Sequence, residues 1–140
     1  MAGYSGNPLW KKLGIKPGHR VVAINVPKSA MPVIAELAAV EPVALKLSGK
    51  DPYDVILLFC DRRFDLSSTF ARAAARLDPA GGLWVAWPKK SSGVETDLTE
   101  DLVRRHGLSE GLVDNKVCAI DETWSGLRFV VRLKDRKAPG

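Results

Sequence analysis

Cysteine and histidine are scarce in this chain: two of the first, Cys60 and Cys118, and two of the second, His19 and His106. Neither cysteine belongs to a CxxC pair or to a metal-ligand spacing, and each lies inside an apolar, strand-like run. They read as buried thiols of a reducing compartment, which argues against a disulfide scaffold or a zinc module. The histidines stand far apart, so neither a metal set nor a catalytic triad forms around them. Long apolar runs are missing as well. No stretch approaches the ~20 residues of a membrane-spanning helix, and the opening MAGYSGNPLWKKLG lacks the apolar core of a secretory signal. There is no Walker-type loop and no nucleophile elbow. The expectation is a cytoplasmic protein without a membrane partner.

What is present suits one folded unit. A chain of 140 residues, 46% hydrophobic and 26% charged, can bury roughly two thirds of its unfolded surface around a single core. The expected domain covers residues 1–134, with 135–140 as a disordered tail and no internal repeat. The net charge of +5 is concentrated partly at the two ends (Lys11, Lys12, Lys16 and Arg20; Arg132, Lys134, Arg136 and Lys137). Such a balance permits contact with polyanions, nucleic acid included, without requiring it.

The stretch from Leu77 to Arg104, LDPAGGLWVAWPKKSSGVETDLTEDLVR, organises the chain. Pro79, Gly81 and Gly82 predict a turn, Leu83–Trp87 a short buried strand, and Pro88 its end. A basic loop over Lys89–Glu95 leads to a helix from about Leu98 to His106, capped by Thr96 or Asp97 and closed by Gly107. Upstream, a short helix is expected at Pro8–Leu13 and a first strand at Arg20–Val26. Ser29 then caps a helix with Met31, Ile34, Leu37 and Ala38 on its apolar side. Val43–Leu47 and Tyr53–Cys60 read as the second and third strands. The Ser48–Pro52 link between them is too short for a parallel crossover, which takes about a dozen residues. Either the two strands are not parallel neighbours, or a unit between them is missing. A helix near Ser67–Leu77 follows. The chain closes on a hairpin, Val113–Asp121 against Leu127–Lys134, across a loop holding Trp124, Ser125 and Gly126. Strand–loop–helix repetition of this kind defines an open α/β sheet.

LGIKPGHRVVAIN resembles the opening of class I methyltransferase domains, where a KPG turn enters the first strand. YDVILLF resembles their fourth strand, and LDPAGGLWV the turn into their fifth. With its WPKK and WSG elements, nearly the whole chain is also similar to the bacterial domain-of-unknown-function family numbered 3052, which implies no activity. The first resemblance implies a small, trimmed Rossmann-like (methyltransferase-like) fold: a mostly parallel sheet with a C-terminal antiparallel hairpin. The departures are specific. After strand one the family has a glycine-rich loop with an acidic residue, where this chain has Ile24-Asn25-Val26-Pro27-Lys28. At the end of strand two, the carboxylate that would hold the ribose of S-adenosylmethionine is replaced by Leu47-Ser48-Gly49. The family's third strand is absent.

In an open α/β sheet the ligand crevice lies beyond the carboxyl ends of the strands. Just past those ends come Asn25 and Lys28, then Asp61, Arg62 and Arg63, then Trp87, Lys89 and Lys90. Five cations from three segments are expected to meet there, with helix N-termini near Ser29 and Ser67 also favouring anions. They predict an anionic ligand, a phosphate-bearing small molecule or a nucleic-acid backbone, with Trp124 as lid or partner contact. Ordinary solvated loop cations are the plainer alternative. The leading expectation is a non-enzymatic binding or regulatory module for an anionic ligand or a protein partner, with no catalytic residue and no cofactor identified. The alternative is a divergent S-adenosylmethionine-dependent methyltransferase-like enzyme with an altered cofactor site, and a third reading is a nucleic-acid accessory protein. An exposed edge strand would also allow a homodimer.

Overall fold

Tyr53–Phe59 (β3) is apolar at nearly every position because both of its faces are covered. In the computed structural model, which describes residues 7–136, β3 lies inside a six-stranded sheet ordered β2-β1-β3-β4-β6-β5. Val21–Ile24 (β1), Val43–Ala44 (β2), β3 and Leu77–Pro88 (β4) run parallel. Trp124–Val131 (β6) is antiparallel to β4 and to the edge strand Leu112–Ala119 (β5). β1 separates β2 from β3, so the short link between the latter two never joins neighbouring strands.

Alternation along the strands divides the core in two. On one face Ala23, Val55, Leu57, Phe59 and Trp84 pack with Leu9 and Leu13 near Leu9–Lys12 (α1) and with Ile34 and Leu37 of Met31–Ala38 (α2). On the other, Val22, Ile56, Leu58, Val85, Trp87 and Phe129 meet Phe70 of Arg63–Ala74 (α3) and Val103 of Glu100–Ser109 (α4). Trp84 and Trp87 therefore point to opposite faces, as their spacing requires. Trp84 is fully buried, and its Nε1–H donates to the Leu13 carbonyl at 3.1 Å, so its one polar atom is paired. Truncating such a side chain to Ala costs about 3–5 kcal/mol.

Several boundaries differ from expectation, each for a reason of packing. The Pro79–Gly82 stretch is not a turn before the strand: β4 already begins at Leu77, paired with Tyr53. An irregularity of register follows, and at Gly81 a Cβ would collide with the Asp54 carbonyl. Gly107 does not end α4 but lies buried within it, where a Cβ would run into the Phe129 ring. The helix stops one turn later, at the left-handed Gly111 (φ 91°). Its N-cap is Thr99, which accepts from Leu102 N–H, rather than Thr96 or Asp97. Nor does Ser29 cap α2 through its side chain: it sits in a 3-10 turn, Lys28–Ala30, ahead of the helix. The hairpin turn is tighter than expected. Asp121 Oδ1 accepts from the amides of Thr123 and Trp124, both at 2.8 Å, so Trp124-Ser125-Gly126 belongs to β6 and not to a loop. Leu133–Asp135 forms a further 3-10 turn, and the rest of the expected tail, like residues 1–6, falls outside the described residues apart from Arg136.

Candidate functional site

From β1 the chain leaves through α2 toward β2, and from β3 through α3 toward β4, on opposite sides of a shared boundary. Beyond the carboxyl ends of two strands that diverge in this way, an open sheet leaves a crevice. A cleft of about 330 Å³ lies there, lined by Asn25, Pro27 and Ser29 after β1, Phe59, Asp61 and Asp65 around the β3–α3 junction, Val94 after β4, and Thr123 and Trp124 from the hairpin. That volume falls in the small-molecule range of roughly 300–1,000 Å³. Its apolar part is built on the edge-to-face pair of Phe59 and Trp124, with centroids 5.1 Å apart and planes at 84°.

Local structure explains how these groups arrive together. Asn25 is the one non-glycine with positive φ (58°) among the described residues, and it re-aims the chain at once after β1. Asparagine is among the few side chains that adopt the left-handed region readily. A glycine-like turn therefore exists after strand one although the sequence there has no glycine. The loop after β4 is tied down over the same region. Thr96 Oγ1 donates to the Asp61 carbonyl (2.6 Å), Asp97 Oδ1 accepts from Arg63 N–H at the start of α3 (2.8 Å), and Lys89 N–H donates to the Thr123 carbonyl (2.7 Å).

The charge lining the cleft is negative. Burial first, then a hydrogen bond to Asp61 and that residue's charge, hold the Asp65 carboxyl above the usual carboxylate range; Arg62 opposes the shift and Asp97 adds to it. Beneath them Cys60 is buried, and desolvation with help from Asp65 pushes its thiol up to about 12. It is a packed thiol without nucleophilic character at neutral pH.

Of the residues expected to gather here, the cleft takes Asn25 and Trp124. Lys28, in the 3-10 turn after Pro27, does not line it, and neither do Arg62, Arg63, Lys89 or Lys90. Arg62 turns to Glu95 at 3.8 Å. Arg63 opens instead on a second groove, of about 480 Å³, between α3 and α4 with Phe64, Leu66, Leu98, Leu102 and Arg105. Trp87 is buried on the α3 side of the sheet and presents nothing to solvent. Trp124 is no free lid either: it is 5% exposed and packs on Phe59. Leu47-Ser48-Gly49, the stretch that stands in place of the family's ribose carboxylate, lies at the opposite end of the sheet. Ser48 there bonds the Tyr53 hydroxyl and accepts from Arg76. Phe59, Asp65, Val94 and Thr123 had not been singled out from the sequence. Helical spacing gave no signal for the Asp61/Asp65 pair, because Asp61 precedes α3, which begins at Arg63 and not at Ser67. Its first amide is satisfied by Asp97, 34 residues away, which no local pattern reveals.

Searched by sequence, the chain matches no family model and no curated protein. Its backbone is nevertheless similar to solved methyltransferases. An S-adenosylmethionine-dependent methyltransferase from Aquifex aeolicus aligns over 89% of this chain and 88% of its own, at 15% identity and a TM-score of 0.58. Magnesium protoporphyrin IX methyltransferase from Synechocystis, with bound S-adenosylhomocysteine, aligns over 83% and 75% at 11% identity and a TM-score of 0.55. An O-methyltransferase of neocarzinostatin biosynthesis, in complex with S-adenosylmethionine and a naphthoic acid, aligns over 88% and 50% at 12% identity and a TM-score of 0.57. The fold is thus a Rossmann-like, methyltransferase-like α/β fold. These three neighbours are methyltransferases, and that corrects the leading expectation of a non-enzymatic module.

Proposed function

We propose that this chain is a divergent S-adenosylmethionine-dependent methyltransferase whose cofactor occupies the cleft beyond β1 and β3. The observation that carries the reading is the left-handed turn at Asn25, which opens a cleft of about 330 Å³ at the point where the strand connections diverge. The residues present fit the group. Phe59 and Trp124 offer an apolar, aromatic edge for an adenine ring or a methionyl chain, and Asn25, Ser29 and Thr123 offer short polar groups around it. Asp61 and Asp65, from the end of β3 and the first turn of α3, supply the carboxylates that the end of β2 does not. Bound there, S-adenosylmethionine would supply an electrophilic methyl group. The loop after β4, tied to the Asp61 carbonyl through Thr96, contributes Val94 to the lining, and the Asx turn at Asp121 holds Trp124 in place. The resemblance of nearly the whole chain to the bacterial family numbered 3052 and a cytoplasmic setting belong to the same reading.

Thermal denaturation tests it. S-adenosylmethionine at about 100 times its Kd should add roughly 2.7 kcal/mol of stability, a rise of several degrees. Nucleoside triphosphates and inorganic phosphate should leave the transition in place. A response to phosphates with none to the adenosyl compounds would sink the assignment.

A further inference from the structure

Every charged side chain lining the cleft is a carboxylate. Asp61 and Asp65 enter from adjoining elements, the aromatic pair of Phe59 and Trp124 closes the apolar side, and no Lys or Arg is among the lining groups. Arg62, the closest cation in sequence, is engaged with Glu95 on the rim. Two carboxylates drawn into one partly desolvated cleft repel each other, and a positive charge placed beside them relieves that repulsion while making its own attraction. Aromatic faces and edges add a preference for a soft, weakly hydrated cation over a compact hydrated one. A sulfonium is such a cation. Its demethylated thioether has the same shape less one methyl and carries no charge at sulfur.

We infer that this cleft reads the charge of its ligand's reacting centre, with Asp61 and Asp65 selecting the sulfonium form of the cofactor over the neutral thioether. The inference rests on the function proposed above and deepens it. Selection of this kind would hold the methyl donor and loosen the spent product: an acceptor lone pair forms the new bond to the methyl carbon, both electrons of the broken C–S bond stay on sulfur and remove its charge, and the acceptor gives up its proton to water. Asp61 and Asp65 act here through electrostatics on the bound ligand, and the step itself needs no co-reactant beyond the acceptor.

The test is calorimetric titration of the full chain with S-adenosylmethionine, S-adenosylhomocysteine and adenosine at low ionic strength. The wild-type protein should bind the sulfonium about tenfold more tightly than the thioether, the gain expected of a charge-assisted contact in a partly exposed site. In Asp65→Asn, and more fully in the double variant Asp61→Asn/Asp65→Asn, the ratio should fall to within about twofold, while adenosine binds as before. Asn keeps the shape of Asp, and unchanged circular dichroism and melting will confirm that each variant folds; Asp61→Asn alone serves if the double variant does not. Equal affinity for the two ligands in the wild-type protein, or a ratio that survives both substitutions, would overturn the inference and leave the cofactor assignment standing. Binding of neither ligand would overturn both.

Discussion

Replacing Gly107 with Ala puts the packing of α4 on the sheet to a direct test. The local helix rule favours the change: Ala is better than Gly inside a helix by about 1 kcal/mol. The structure opposes it. A methyl at Gly107 would stand 2.5 Å from Cδ1 and Cζ of Phe129, well inside contact distance. That ring is fully buried and meets Phe70 edge to face at 5.4 Å and 88°, while Phe70 meets His106 in the same manner at 5.2 Å. Phe129 has no room to swing away, so α4 must lift or the aromatic stack must shift. Overpacking costs about 1–3 kcal/mol, and a clash this deep against a buried ring belongs in the upper part of that range, at about 2–3 kcal/mol. With the propensity gain subtracted, the net loss should be about 1–2 kcal/mol. For a domain of this length that is a drop in Tm of roughly 3–7 °C. Calorimetry or circular dichroism at matched pH measures it. A Tm that rises would show that propensity outweighs contact, and that the placement of α4 is wrong.

Two further outcomes follow from the same geometry. Because the Cys60 thiol is pushed up to about 12 while an unfolded cysteine ionises near ~8.5, the stability it contributes is present below the lower value and is lost as pH rises toward the upper. The unfolding free energy of the wild type, measured in urea, should fall more from pH 8 to 10 than that of Cys60→Ala, by about 1–2 kcal/mol, and parallel pH curves would refute the burial argument. Lys89→Ala/Lys90→Ala should leave S-adenosylmethionine affinity unchanged within about twofold, since neither side chain lines the cleft; a tenfold loss would return the basic edge to the site.

How much of this could be read beforehand depended on whether the deciding contact was local. β3 was plain because an apolar run bounded by Pro52 and Asp61 has few alternatives; of the alternating set Leu127, Phe129, Val131 and Leu133, the first three share a face, whereas Leu133 falls in the 3-10 turn past β6 and is exposed. Gly107 misled because glycine has two uses in a helix, an end or a close approach, and only the position of Phe129 distinguishes them. The start of α3 depended on a carboxylate from the far side of β4, so Asp65 fell ahead of the helix expected near Ser67, and the acidic character of the cleft stayed hidden behind Arg62 and Arg63. The cations were counted correctly but not aimed: past the end of a strand, consecutive side chains diverge, and Asp61, Arg62 and Arg63 face a cleft, a rim and a second groove.

The central claim is that the adenosyl ligand sits beyond β1 and β3, and chemical-shift mapping locates it most directly. On titration of isotope-labelled protein with S-adenosylmethionine, the account predicts saturable shifts in the amides of Asn25, Phe59 and Asp61 and in the Trp124 indole. The Phe64, Leu102 and Arg105 signals of the α3–α4 groove should stay still. Shifts confined to that groove, or none at millimolar ligand, would contradict it.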